Sequence, residues 1–242
     1  MPIKTPSRDI FIRQLIGNDN FTLPGGTLIR HFSNEQLEAL LPHIFDAIFR
    51  TAAADISHIC GYGEFDQNNQ PQNKSCADFI REEFRDDLDN YWYHWREMFK
   101  TTSLNEDFFN HIYSHALKYA PYCENQRYLT NGNTYFGNIV ADGEKIAFTD
   151  WSRAGIMDFM MDFVCMDLHK PWLKIPERLW VYANKRHISL PDFHQRFLCM
   201  AYFRGLGSLL WHTSIEDDES CRTITVYLNK LEQRIWKIGA EQ

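Results

Sequence analysis

The chain has 242 residues, of which 44% are hydrophobic and 15% aromatic, and this apolar content is sufficient for one globular unit with a sizeable core. Its 25 basic and 32 acidic residues give a formal charge of −7, which argues against nucleic acid as a partner. No apolar run approaches the roughly 20 residues needed to span a bilayer, which argues against a membrane protein, and the N-terminal segment lacks the apolar region of a secretory signal. We therefore expect a cytoplasmic protein.

The six cysteines are spread along the chain at positions 60, 76, 123, 165, 199 and 221. None forms a C-x-x-C pair or a Cys/His spacing typical of zinc sites. We expect reduced, partly buried thiols.

Residues 1–32 differ in composition from the rest of the chain. They combine prolines and glycines with two short β-type runs at residues 10–12 and 21–23, which predict an extended arm and a turn. We therefore divide the chain into an N-terminal arm or hinge over 1–32 and a helical domain over 33–242.

Helix signals begin at Ser33, which stands three residues before Gln36 as in a capping box and precedes apolar residues at helical intervals. Pro42 is expected to kink this helix or to start a second segment.

Residues 61–74, rich in Gly and Asn, predict a long polar loop. Further helices are expected to begin at Ser75 and Ser103, and Pro121 should end the second of them.

The pattern becomes strand-like between residues 127 and 150, where Asp142 and Gly143 separate two apolar runs. An Asp-Gly pair in this setting predicts a tight two-residue hairpin. After Trp151 the pattern is helical to the end of the sequence. The prediction is a mostly helical α+β fold with one small β-hairpin in its middle.

Two polar residues flank this hairpin. Asn138 stands at the start of one strand and Asp150 at the exit of the other, so a tight hairpin would bring them side by side. Together they would offer two hard oxygen ligands to one divalent cation. The alternative is that both are turn residues that satisfy backbone groups.

This region resembles the H-G-D-x-x-x-x-N, hairpin, D-W pattern of the aminoglycoside phosphotransferase and choline-kinase-like families. The motif positions are occupied by Asn131, Gly132, Asn133, Asn138, Asp150 and Trp151, and the acids of a following G-D-x-x-x-D segment by Asp158 and Asp162. Segments 53–56, 61–65, 93–95 and 171–173 resemble the hygromycin-type phosphotransferases in the same order. The similarity covers roughly residues 25 to 212.

The resemblance implies the C-lobe of a kinase-like fold, with the N-lobe missing or reduced to the arm. It also implies use of ATP with Mg²⁺ held by Asn138 and Asp150, while Asn133 occupies the position of the catalytic Asp. Tyr93, Trp95 and Asp158 are the substrate-binding residues that it implies, and no residue is assigned to the nucleotide itself. Clustered aromatic residues such as Tyr93 and Trp95 can equally be core.

The sequence departs from the family at Asn131, where the pattern has His, and at Asn133, where it has the catalytic Asp. A neutral carboxamide can hydrogen-bond an acceptor hydroxyl but cannot take its proton. The early lysines lie outside the strand context of the lysine that contacts ATP in kinases.

Three hypotheses of function remain. The chain is a weakly active or degenerate phosphotransferase acting on a hydroxyl of an aminoglycoside-like molecule, or a non-catalytic pseudokinase that binds a cationic sugar or a partner protein. Alternatively, it is the C-terminal half of a split or truncated kinase, whose open face a second chain would cover. Acidic runs at residues 82–83, 86–87 and 216–219 are compatible with a cationic ligand, and also with ordinary solvated helix faces.

Overall fold

The computed structural model describes residues 7–17, 23–88, 90 and 92–240. These residues form nine α-helices, namely α1 (Arg8–Ile16), α2 (Asn34–Ala52), α3 (Cys76–Glu83), α4 (Met98–Thr101), α5 (Glu106–Tyr119), α6 (Met160–His169), α7 (Ile175–Lys185), α8 (Phe193–Ser214) and α9 (Asp218–Ile235). They also form seven strands, namely β1 (Thr27–Leu28), β2 (Tyr62–Phe65), β3 (Pro71–Asn73), β4 (Tyr128–Thr130), β5 (Ile139–Asp142), β6 (Lys145–Phe148) and β7 (Gly155–Met157). The expected mostly helical α+β fold is confirmed. Within the described ranges no helix has both the length and the apolar character needed to cross a membrane.

Helix α8 is the centre of the core. It packs against α5, α6 and α9, and every residue from Arg196 to Leu206 is buried. A helix that is apolar on all sides in this way must be surrounded by other elements. The neighbouring helices therefore form a layer around α8.

Two small antiparallel sheets lie beside the helices. One has the strand order β1-β5-β6 and the other β3-β2-β7-β4. The first contains the expected hairpin, with Asp142 paired to Lys145. Its two-residue loop is consequently Gly143 and Glu144, one position later than the sequence predicts, and Gly143 has the positive φ that this turn requires (59°).

Helix α1 corrects the prediction of an extended arm. Residues 10–12, expected to be β-type, lie inside this helix, where Ile12 and Ile16 are buried on one face. The side chain of Arg8 donates to the backbone carbonyls of Phe65, Asp66 and Ser152, which ties α1 to the second sheet. Burial of one helical face has overridden the β preference of a short run. Of the second predicted run, residues 21 and 22 lie outside the described residues.

The predicted loop at residues 61–74 is also wrong, because it contains the β2–β3 hairpin. Its polar residues form the turn, where the Asp66 carboxylate accepts from the backbone N–H groups of Asn68 and Gln70. Strand β2 is stabilised by pairing with β7, in which Gly63 lies opposite Ile156. Strand β7 itself corrects the expectation of helix throughout the region after Trp151.

The helix starts show which local signals are reliable. Ser33 forms the predicted capping box with Gln36, and Ser75 caps α3. Helix α5 begins after Asn105, whose side chain accepts from the backbone N–H of Phe108, rather than at Ser103. Pro42 lies inside an uninterrupted α2.

A buried ion pair connects β7 to α8. The guanidinium of Arg196 donates to both carboxylate oxygens of Asp158 at 2.7 and 2.9 Å, and the two side chains are 1% and 0% exposed. The carboxylate also accepts from the backbone N–H of Met160. Because both charges are removed from water, loss of one partner leaves the other uncompensated.

We therefore expect Arg196→Met to lower the free energy of unfolding by about 3–5 kcal/mol, measured by denaturant titration. Arg178→Met is the control, since its ion pair with Glu38 is exposed and should contribute less than about 1 kcal/mol. Equal effects of the two substitutions would contradict the structural role of the buried pair.

Candidate functional site

The candidate site is built from two loops that the second sheet holds together. Strand β4 pairs with β7 so that Thr130 lies opposite Gly155, which places the loop after β4 against the loop between β6 and β7. Gly132 has a φ of 71°, and a Cβ there would lie 2.3 Å from the carbonyl oxygen of Arg153. Only glycine permits this approach of the two loops.

A buried carboxylate fixes the first loop. The side chain of Asp162, at the start of α6, accepts from Thr134 Oγ1 at 2.6 Å and from the backbone N–H groups of Gly132 and Asn131 at 2.8 and 3.2 Å. Burial raises the pKa of Asp162, and the three donors oppose that rise. The loop conformation thus depends on a residue about thirty positions further along the chain.

Asn131 connects the two loops. Its Oδ1 accepts from the backbone N–H of Asn133 at 3.1 Å, and its Nδ2 donates to the carbonyl of Thr149 at 3.2 Å. The side chain is fully buried. A carboxamide performs this bridging well because it both donates and accepts.

Asn133 lies in direct contact with Asp150. Its Nδ2 donates to Asp150 Oδ2 at 2.6 Å, while its Oδ1 accepts from Arg204 at 3.3 Å. The carboxamide is thereby oriented with its amino group towards the carboxylate and its oxygen towards the guanidinium. Each end of this neutral side chain has a charged partner.

Asn138 also contacts Asn133, but through the backbone of Asn133. Its Nδ2 donates to the backbone carbonyl of Asn133 at 2.9 Å, and its own carbonyl accepts from the backbone N–H of Thr149 at 2.8 Å. Within the described part of the chain its Oδ1 accepts no hydrogen bond. Asn138 and Asp150 thus each contact Asn133, Asn138 through the backbone carbonyl and Asp150 through the side chain.

Asp150 itself has a left-handed backbone (φ 52°), and its Oδ1 accepts from the backbone N–H of Ser152 at 3.3 Å. This turn directs the carboxylate away from the hairpin and into a cleft.

The cleft is a cavity of about 880 Å³ between the two loops and helices α6, α8 and α9. Its volume is in the range of small-molecule sites. Its walls include Trp92, Asn133, Tyr135, Asp150, Ser152, Arg153, His169, Arg204, Trp211, His212, Glu219 and Thr223.

The cationic side chains of the cleft are already paired. Arg153 contacts Glu64 and Glu83 at 2.6 and 3.0 Å; burial disfavours its charge, but these carboxylates raise its pKa above the ordinary value. Arg204 donates to the Tyr135 hydroxyl at 3.0 Å and lies over its ring. Asp150 and Glu219 are thus the carboxylates of the cleft wall that a ligand can reach.

The three predicted substrate-binding residues do not line this cleft. Asp158 is fully buried in its ion pair with Arg196, and Trp95 is 1% exposed with its indole N–H donating to the carbonyl of Phe84. Tyr93 is exposed, but it stacks on His94 and is absent from the cleft wall. Trp92 is the aromatic residue of this run that reaches the cleft; its neighbour at position 91 lies outside the described residues.

Sequence reasoning missed most of the cleft wall. Arg204, Trp211 and His212 come from α8, where no motif marks them, whereas Glu219 belongs to the acidic run at residues 216–219. Only the tertiary fold places these helical residues across the cleft from the loops that carry Asn133 and Asp150.

Some known proteins are similar to this chain in sequence or in fold. No protein-family model matches the chain. Over 173 residues the chain is 26% identical to hygromycin-B 4-O-kinase of Escherichia coli, in an alignment that covers 68% of this chain and 47% of that protein. The chain therefore spans about half the length of this curated relative.

Among solved structures, the chain is similar to aminoglycoside phosphotransferase APH(4)-Ia. A thermostable mutant in ternary complex with AMP-PNP and hygromycin B matches with a TM-score of 0.65 and 21% identity, covering 90% of this chain and 70% of that chain. A complex of such a mutant with ADP and hygromycin B matches with a TM-score of 0.64 and 21% identity, covering 96% and 82%.

The architecture is that of a kinase-like, small-molecule phosphotransferase fold. Within this class, the chain is a relative of the aminoglycoside phosphotransferases, and the resemblance predicted from its motifs is confirmed.

The contact between Asn133 and Asp150 generates a prediction. Asn133→Asp would replace the 2.6 Å hydrogen bond by two adjacent carboxylates, a repulsion that the longer 3.3 Å contact with Arg204 offsets only in part. We therefore expect the free energy of unfolding at pH 7 to fall by about 1–2 kcal/mol and to recover on addition of millimolar Mg²⁺. Denaturant titration with and without Mg²⁺ measures both effects.

Asn184→Asp is the control, because Asn184 is exposed on α7. It should show neither the loss nor the Mg²⁺ response. An Asn133→Asp variant whose stability is independent of Mg²⁺ would contradict a cation site at these residues.

Proposed function

We propose that the cleft binds an aminoglycoside-like molecule and that, with ATP and Mg²⁺, the chain transfers the γ-phosphoryl group to one of its hydroxyls at a low rate. The observation that carries the proposal is the contact of Asn133 with Asp150 at the wall of the 880 Å³ cavity, with Asn138 hydrogen-bonded to the backbone of Asn133. The similarity to hygromycin-B 4-O-kinase supports the class of ligand.

The donor set around Asn133 fits a magnesium ion. Asp150 offers a carboxylate and Asn138 an amide oxygen that accepts no hydrogen bond from the described residues. Mg²⁺ typically takes one or two such ligands and completes its shell with phosphate oxygens and water. When bound, the ion would neutralise charge that develops on the transferred phosphoryl group.

The charge and shape of the cleft fit a cationic, polyhydroxylated molecule. With Asp150 assigned to the metal ion, Glu219 is the carboxylate of the wall that remains for the ligand, and Trp211 presents a half-exposed indole to it. Carboxylates bind ammonium groups, and an aromatic face binds sugar rings or cations. Of the two arginines, Arg153 is paired with Glu64 and Glu83, whereas Arg204 has the neutral partners Tyr135 and Asn133 and keeps its positive charge on the cleft wall.

Asn133 would orient the acceptor hydroxyl without deprotonating it. Its Oδ1 has a second lone pair and its Nδ2 a second hydrogen, so the side chain can still make a hydrogen bond to substrate. The acceptor oxygen forms a bond to the γ-phosphorus as the bond to ADP breaks, and the hydroxyl proton leaves to solvent. Loss of a general base costs about 10²–10⁴ in rate, which is the reason for a low turnover.

A second candidate is a binding protein without transfer. It is favoured by the fixed orientation of Asn133, whose amino group and oxygen are already bonded to Asp150 and Arg204. In that case the cleft retains the ligand while the reaction is lost.

Isothermal titration with ATP, with Mg²⁺ or with EDTA, tests the proposed metal ligand. We expect Mg²⁺ to strengthen ATP binding to the native chain. In Asp150→Asn the Mg²⁺-dependent increase in ATP affinity should be at least about tenfold smaller, because a carboxylate ligand is lost. Asp142→Asn is the control, since Asp142 is an exposed residue at the hairpin turn.

The same samples incubated with hygromycin B and γ-labelled ATP separate the two candidates. Slow phosphorylation that Asn133→Asp accelerates by about 10²-fold or more supports transfer. Hygromycin B binding without any response to ATP and Mg²⁺ would refute transfer and leave the binding protein.

A further inference from the structure

Three buried cysteines form a cluster outside the cleft. Cys76 is the first residue of α3, Cys123 ends the 3-10 turn after α5, and Cys199 lies in the middle of α8. Their sulfur atoms all lie within 4.8 Å of one another, and each residue is 0% exposed. None is in a disulfide.

The cluster has polar neighbours in an otherwise apolar core. The hydroxyl of Tyr62, which lies close to Cys76, accepts from the backbone N–H of Asp158 at 3.1 Å. Asp158 is held by Arg196, whose guanidinium also interacts with the sulfur of Cys123. A fully buried group of thiols is thus placed beside a phenol and an ion pair.

The three thiols are close neighbours of one another. Cys199 also donates to the carbonyl of Ala116 at 3.4 Å. Hydrogen bonds from Cys123 and Cys199 lower the pKa of Cys76, whereas burial raises the pKa of Cys123 and Cys199.

We propose that Cys76, Cys123 and Cys199 form a binding site for a soft d¹⁰ metal ion, with Cu(I) as the ion that fits best. Thiolate sulfurs select such ions. Bonds of about 2.3 Å from one ion to three sulfurs put those sulfurs about 4 Å apart, and the observed spacing allows this with small movements. The thiol protons would leave to solvent, and Arg196 lies beside the resulting negative charge.

The number of ligands distinguishes Cu(I) from Zn(II). Structural zinc sites almost always have four ligands, and no fourth His, Cys, Asp or Glu joins this group among the residues that the structure describes. Three sulfurs satisfy the lower coordination number of Cu(I). None of these cysteines is a proposed magnesium ligand, because those ligands are the hard oxygen donors of Asn138 and Asp150.

Titration of the reduced full chain with Cu(I), in competition with a chromophoric Cu(I) chelator, tests the proposal. We expect one ion per chain, three sulfur neighbours in the X-ray absorption spectrum, and at least about tenfold weaker binding in Cys123→Ser. Cys60→Ser and Cys221→Ser are the controls and should bind as the native chain does.

Thiol alkylation of the native sequence gives a readout that needs no variant. In mild denaturant, bound Cu(I) should protect residues 76, 123 and 199 from labelling but leave Cys60 and Cys221 reactive. Absence of stoichiometric binding, protection spread over all six cysteines, or a preference for Zn(II) over Cu(I) would overturn the proposal.

Discussion

The whole candidate site depends on the carboxylate of Asp162. It accepts three hydrogen bonds from the loop at residues 131–134, and these bonds fix the backbone from which Asn133 points into the cleft. The acceptor lies in the apolar core, so an unfilled hydrogen bond there is costly and the loop has little freedom to rearrange. Asn131 then extends this rigidity to the loop that carries Asp150.

The contacts of Asn133 show why a neutral side chain suits this position. A carboxamide donates to Asp150 at 2.6 Å, an arrangement in which a second carboxylate would be repelled unless a cation or a proton intervened. The neutral side chain therefore avoids this repulsion. The same feature reduces the driving force for proton removal during transfer, so stability and turnover are expected to oppose each other here.

The parts of the fold that the sequence predicted are those encoded by neighbouring residues. The Ser33 capping box, the cap at Ser75 and the central hairpin each depend on a few adjacent positions. Strands β2 and β7 are short and become strands only by pairing with each other, and the burial that makes α1 a helix comes from distant elements. For the same reason the motif residues were found, whereas Arg204, Trp211 and the clustering of the three cysteines were not, because only the fold brings these groups together.

The central claim is that the loops around Asn133 hold a divalent cation with nucleotide phosphates. Paramagnetic Mn²⁺ bound with ATP broadens the NMR signals of nearby groups, so side-chain amide spectra of the full chain test this claim directly. The account predicts selective broadening of Asn133 and Asn138, with the exposed Asn184 on α7 unaffected. Equal broadening of all three, or none at Asn133 and Asn138, would contradict it.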